Sequence, residues 1–260
     1  MAWKAVNQGL WNAFGLAVAL FLLSPLVLVV LFSFGQNELA TLPIDGLTLR
    51  WYAVLFENAN FWSALENSLI VTGVTGIVST MTGTLAAFAL ARCADRSADT
   101  LMTLLSLPVM LPPLVLALGL ATLFSTLGWH LGLHTVIPSH LVFTQPFVIL
   151  IVYARMERFD FNVLDSARDL GASPLYSFAT VTLPLTRPTL IGAALIAMSV
   201  SLDDFVITFF TIGNGMTLPT LVWGMLRTSL DPSINALGTL ILVTTITASV
   251  VALNLTRYRG

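Results

Sequence analysis

Residues Asn162 to Pro184 read NVLDSARDLGASPLYSFATVTLP, a charged and well-punctuated segment in an otherwise apolar chain. Asn162 is of a type that caps helix N-termini, and Asp165 three positions later comes close to completing a capping box. Val163, Ala167 and Leu170 recur at the spacing of one apolar stripe, which predicts a two-turn helix. Asp165, Arg168 and Asp169 fall on its other side. Gly171 stands where helices commonly end, because glycine enters the left-handed conformation beyond the last turn without steric cost. Ser173-Pro174 then restarts helix as N-cap and first helical residue, and Pro184 is expected to stop it. The predicted product is a rigid knob of two short helices, joined at a glycine, with an apolar seam and a charged face.

The chain around this knob has 260 residues, 57% hydrophobic and only 9% charged. Soluble domains carry about 25% charged residues, so composition places this chain in a lipid bilayer. A net charge of -2 argues against a nucleic-acid partner. The single cysteine, Cys93, excludes a disulfide framework and is expected to be a small, half-buried residue. The first apolar run is too long for the core of a signal peptide and lacks a small-residue cleavage site.

About 20 apolar residues cross a hydrocarbon core, and six stretches qualify: Leu10–Phe34, Asn67–Leu90, Leu101–Phe124, Val136–Ala154, Thr189–Ile212 and Ala236–Thr256. The expected fold class is therefore an all-α integral membrane protein with six transmembrane helices and one transmembrane domain spanning residues 1–260. Strands are excluded, since these runs lack period-2 alternation and barrel-like lengths. Prolines 25, 138 and 146 inside the spans mark kinks that neighbouring helices re-satisfy, and the cluster Pro108, Pro112 and Pro113 should bend or break the third. With the N-terminus inside, nine of the eleven basic residues (Lys4, Arg92, Arg96, Arg155, Arg158, Arg168, Arg187, Arg257 and Arg259) fall on the cytoplasmic side, and only Arg50 and Arg227 fall outside. Both termini are then cytoplasmic, and the knob lies in the second cytoplasmic loop, residues 155–187. Outside, Leu47, Trp51, Val54 and Leu55 stand at helical spacing. Residues 213–235 are too short to cross and should lie at the outer surface or re-enter the bundle.

The clearest polar anomaly is Asp203-Asp204 inside the fifth span. One acid at a helix centre costs roughly 2.5–3.5 kcal/mol, so two must be partnered or wet. Adjacent helical residues point about 100° apart; one acid can line a pathway while the other meets a polar group on a neighbouring helix. Equally, the pair can cap a helix break or bond a partner subunit. Counting from Pro188 at about 1.5 Å per residue puts Asp203 roughly 22 Å in, beyond the midplane towards the outside. A cation is the natural ligand of acids in such a pathway. Tyr52 and Trp223 are further pathway candidates, able to stack on a cation or to anchor at the interface. His130 and His134 are four apart, but Leu131-Gly132-Leu133 argues against a helix joining them, and no metal site is expected. His140, in the fourth span, either lines the pathway or makes a helix–helix hydrogen bond. No nucleophile triad and no P-loop occurs, so the chain is not expected to be an enzyme or to bind ATP.

The knob resembles the cytoplasmic EAA loop of ATP-binding-cassette importer permeases. That pattern runs Glu-Ala-Ala, three residues, Gly, nine residues, Ile, one residue, Leu-Pro; here it reads Asp165-Ser166-Ala167, then Gly171, Val181 and Leu183-Pro184 at the same intervals. The acid is kept but shortened by one methylene, and Ser166 replaces an alanine. Further stretches are similar to the spermidine/putrescine-type permeases, and to the second of the two permeases that such systems pair. These are Arg168 to Pro174, Val181 to Leu185, Ser201-Leu202-Asp203-Asp204-Phe205-Val206, Asp231-Pro232-Ser233-Ile234-Asn235-Ala236-Leu237, Asn67-Ser68-Leu69 and Gly83 to Phe88. The resemblance implies a type I importer fold in a bacterial inner membrane. Its implied partners are a second homologous permease forming a heterodimer, two ATPase subunits that use ATP and Mg, and a periplasmic binding protein delivering polyamine. It also implies that Asp165, Ser166, Ala167, Arg168, Asp169, Gly171, Pro174, Leu183 and Pro184 make the contact that couples the bundle to the ATPase. Other amino compounds, opines, ferric iron and oxyanions are alternative cargoes across the wider family, and the acidic pair favours a cation. The competing class, an ion-coupled secondary transporter, is disfavoured because the six spans show no inverted repeat.

Overall fold

A computed structural model describes residues 2–38, 41–93, 95–228 and 232–257. Asp231 and Arg259 lie outside the described residues, as do the side chains of Lys4, Arg96 and Arg257. The described chain is helical in the order α1 (Ala2–Ser33), α2 (Arg50–Glu57), α3 (Ala59–Leu90), α4 (Asp95–Met110), α5 (Pro113–Thr126), α6 (Leu133–Met156), α7 (Asn162–Asp169), α8 (Pro174–Ser177), α9 (Leu183–Asp203), α10 (Val206–Thr211), α11 (Leu218–Thr228) and α12 (Ser233–Arg257).

Among the described residues four helices are long and apolar enough to cross a membrane: Gln8–Ser33, Ala59–Leu90, Leu133–Met156 and the continuous run Pro174–Asp203. The pair Ser97–Met110 and Pro113–Thr126, bent by 95°, makes up to five, so the chain is a multi-pass membrane protein. The bend in the expected third span is where the prolines put it. Pro112 is extended, with φ -55° and ψ 132°, and Pro113 is the first residue of α5, where its missing N–H costs nothing.

Two expectations about the expected fifth span are corrected. Pro184 does not stop a helix. The segment Phe178–Thr182 is a π-helical turn, in which the Leu183 N–H reaches back to the Phe178 carbonyl. That widening absorbs the missing donor and the ring clash that a proline brings, and α8 runs into α9 through it. At its other end the expected span Thr189–Ile212 is not one helix, because α9 ends at Asp203 and α10 begins at Val206.

The chain divides into two compact units, Met1–Phe61 with Val222–Ile246, and Trp62–Leu221 with Thr247–Gly260. In the first, α1 leaves its apolar side chains exposed from Leu10 to Leu28, Phe14, Leu20 and Phe21 among them. At its end Gly35 pairs with Leu47 in a short antiparallel bridge, and the Trp51 indole N–H donates to the Gly35 carbonyl at 2.7 Å. Trp51 and Leu55 are the buried face of α2, whereas Val54 and Leu47 are exposed. Leu47 belongs to the bridge and not to the expected helical stripe, because the helix starts only at Arg50.

In the second unit α6 is the central element and packs against α4, α5, α9 and α10. Small residues let the helices approach, as is usual where no hydrophobic effect drives helices together in lipid. A methyl group at Gly83 would stand 2.6 Å from Val148 on α6, and one at Gly76 would collide with Met198 on α9. Where they touch, hydroxyls pair: Ser79 with Thr144 at 2.7 Å, and Thr135 donating to the Thr211 carbonyl at 2.7 Å.

Candidate functional site: a charged knob and a broken helix

The knob is built much as its residues dictate, with three differences. Asn162 is not the N-cap. It is the first residue of α7, and Asp160 does the capping, its carboxylate accepting the Asn162 backbone N–H at 3.0 Å and the Asn162 side-chain amide at 2.9 Å. An aspartate two residues before a helix is the signal that could have shown this. Asp165 therefore closes no capping box. It stands 3.6 Å from Arg168 one turn on, both largely solvent-exposed. The seam also differs from the expected stripe. Leu164 is the buried residue, Ala167 is half-buried, and Val163 and Leu170 are exposed.

Leu164 seats α7 in a core made with Ala87 of α3, Val148, Val152 and Met156 of α6, Phe159, and Ala193 and Ala197 of α9. Gly171 has φ +88°, the left-handed turn that makes glycine the favoured residue there. Ser173 caps α8, its hydroxyl accepting the Tyr176 N–H at 3.3 Å, with Pro174 first in the helix. The tip is apolar and uncovered: Leu170 is 91% exposed and Leu175 78%. Ser166 and Asp169 are exposed beside it, Leu183 half-buried and Pro184 exposed.

An aromatic clamp, not foreseen from sequence, ties the knob to the end of α3. The Arg92 guanidinium lies 5.3 Å over the Phe88 ring and 5.2 Å over the Phe161 ring. Phe178 meets Phe88 edge-on at 5.1 Å. Arg92 thus belongs to the knob's support, and the expected loop 91–100 is helical from Asp95. Cys93 beside it is exposed rather than half-buried.

The second feature is the break after Asp203. Asp204 caps the helix that follows, its carboxylate accepting the Thr208 N–H at 2.9 Å and the Ile207 N–H at 3.5 Å. The Thr208 hydroxyl stands 3.1 Å from the Asp204 carbonyl and 3.2 Å from its carboxylate. Across from them lies His140 of α6, 2% exposed. Its Nδ1 is 2.7 Å from the Ser201 hydroxyl, and its Nε2 is 2.8 Å from the Thr208 hydroxyl and 3.4 Å from the Asp204 carboxylate. One tautomer satisfies all of this: Nδ1 accepts from Ser201, and Nε2–H points to Thr208 and Asp204. The histidine makes helix–helix bonds. Asp203 is exposed, so the two adjacent acids do point apart.

Tyr52 and Trp223 belong to the first of the two units. The Tyr52 hydroxyl pairs with Ser33 at 2.9 Å, and the Arg227 guanidinium already stands 5.8 Å over the Trp223 ring. His130 and His134 are exposed, the first outside α6 and the second within it. Among the described residues no three His, Cys, Asp or Glu side chains could share a metal ion.

This architecture matches a known family. Residues 79–259 fit the model for the binding-protein-dependent transport system inner membrane component. The chain belongs to that family of permeases. The putrescine transport system permease protein PotI of Escherichia coli K12 is 34% identical to this permease over 230 residues, 85% of this chain and 82% of that one. The spermidine/putrescine permease PotC of the same organism is 30% identical over 239 residues, 92% and 90% of the two chains. Among solved structures, a bacterial ABC transporter that imports alginate matches with TM-score 0.75 at 17% identity, covering 98% of both chains. The MetNI methionine ABC transporter matches at 0.60 and 16%, covering 82% of this permease and all of that chain. These two share its fold.

Proposed function

We propose that this permease is one of two related subunits forming the pathway of an ATP-driven polyamine importer. It sits in a bacterial inner membrane, crossing six times with both termini in the cytoplasm, and takes putrescine or spermidine from a periplasmic binding protein. The observation that carries the cargo is the 34% identity with a putrescine permease over 85% of the chain. Binding and hydrolysis of ATP, with Mg, belong to two partner ATPases.

The knob is their docking element. Its exposed tip, Leu170, Leu175 and Tyr176, is the apolar surface that a groove on an ATPase would cover, with Asp165, Arg168 and Asp169 at its rim. Leu164 and the Arg92 clamp carry its motion into α3, α6 and α9, so that ATP-driven closure of the ATPases turns the bundle between inward- and outward-open states. Gly171 keeps α7 at a fixed angle to α8, because almost any other residue is strained at φ +88°.

The test is uptake of labelled putrescine by the reconstituted importer with Gly171→Asp. Uptake is expected to fall at least a hundred-fold with membrane insertion intact; normal uptake would contradict the coupling role.

A further inference from the structure

Asp203 and Asp204 are neighbours, yet the fold treats them as different groups. The Asp204 side chain is 8% exposed and occupied by two backbone N–H groups of α10, the Thr208 hydroxyl and His140. Asp203 is the last helical residue of α9 and is exposed. The exposed side of α9 running back from it holds Ser199 and Ile196, then the half-exposed Gly192, where an added methyl group would meet nothing. A carboxylate facing hydrocarbon is expensive, so this side meets water or protein, in contrast to the leucine- and phenylalanine-rich surface of α1. The opposite side of α9 is buried at Ala193, Ala197 and Ser201, and the last of these, two residues before Asp203, is held by His140 at 2.7 Å.

We infer that the two acids have divided roles and that His140 is a positioning residue for cargo recognition. Asp204 is a latch that fixes the break. His140 ties the latch and Ser201 to α6, and so aims Asp203, the acid that meets one ammonium group of a cationic cargo. Without the imidazole, Ser201 loses its partner, the end of α9 is free to turn, and Asp203 leaves its place. This inference rests on the proposed import of a cation, and its test is built to separate the two.

The test uses the complete importer with its binding protein in proteoliposomes, with putrescine as cargo and the variants D203N, H140L, H140Q and the double variant D203N/H140L. D203N and H140L are each expected to raise KM about ten-fold with kcat within two-fold. H140Q keeps an N–H donor towards Asp204 and should stay within three-fold of the parent KM. The double variant should show about ten-fold and no more, because His140 acts through Asp203. An unchanged KM in D203N, a hundred-fold rise in the double variant, or a fall in kcat alone in H140L overturns the inference. Where H140L fails to assemble, S201A replaces it, with about a three-fold rise in KM expected and none contradicting.

A second readout needs no cargo. Cys93 is the only cysteine, so C93S gives a thiol-free background in which D203C can be labelled with a charged, membrane-impermeant thiol reagent. D203C is expected to react, and with H140L added to react at least five-fold faster or slower. Inertness, or labelling indifferent to His140, overturns the division. If putrescine is not transported while D203C labels as expected, the polyamine reading fails and the division stands.

Discussion

The second unit of this permease contains two broken helices, and they are broken by different means. Between α4 and α5 the turn is covalent. Three prolines within six residues (Pro108, Pro112 and Pro113) remove donors and fix backbone angles, and the outcome is a 95° bend. Between α9 and α10 no proline is present, and Asp204 accepts the buried Ile207 and Thr208 N–H groups at the start of α10 while His140 meets the acid at 3.4 Å from a helix more than sixty residues away in sequence. The second halves of both, α5 and α10, then pack against each other and against α6. The first break is fixed by the prolines alone. The second combines a local cap, Asp204 on the Ile207 and Thr208 N–H groups, with a tie to His140 of α6, so its hold changes if α6 moves, a property wanted at a point where a transporter must change shape.

The largest expected effect comes from removing the second device. D204A leaves the Ile207 and Thr208 N–H groups without their acceptor inside the bundle, while the His140 Nε2–H keeps only the Thr208 hydroxyl. It should cost about 1–3 kcal/mol for each N–H left unpaired, read as a lower thermal unfolding midpoint of the purified subunit in detergent. D204N, which keeps an acceptor oxygen, should lose less than half of that. A parent-like midpoint in D204A would remove the latch from the account.

A smaller effect is expected at the knob, where a cation and two rings do the holding. R92A removes two cation–π contacts, worth about 0.5–1 kcal/mol each at an exposed site. The subunit should fold, but the ratio of putrescine imported to ATP hydrolysed should fall at least two-fold. An unchanged ratio would mean that the knob moves the bundle without the clamp.

The smallest effect is expected at the covalent break. P112A leaves Pro108 and Pro113 in place, so spin-label distances between α4 and α5 should be preserved and the stability cost should stay under about 1 kcal/mol. A straightened α4–α5 in that variant would erase the contrast between the two breaks.

The same contrast decides what the sequence could reveal. The proline break was legible because its cause is local, and so were the Gly171 turn, the Ser173 cap and the exposed acids of the knob. The break at Asp204 was not placed, since Thr189 to Ile212 reads as one apolar span and the partner that interrupts it, His140, is distant in the chain. The acidic pair flagged the position, and a helix-break cap was among the readings left open, but nothing local could say which acid turned inward. Pro184 misled in the opposite direction: a proline is a local stop signal, and here a π-turn formed by the five residues before Leu183 carries the helix past it. The clamp has no sequence signature, because Phe88, Arg92, Phe161 and Phe178 meet only once α3 and the knob have folded together.

Polyamine import by this permease requires that the knob meet an ATPase and that the pathway accept a polyamine. The most direct measurement reconstitutes the permease with its co-expressed partner subunits and records ATP hydrolysis on adding a binding protein loaded with putrescine, spermidine or an opine. Stimulation by the polyamine-loaded protein, at least five-fold over the unloaded one, is the predicted result. Failure of any ATPase to associate with the permease, or hydrolysis indifferent to polyamine while another cargo drives it, would contradict it.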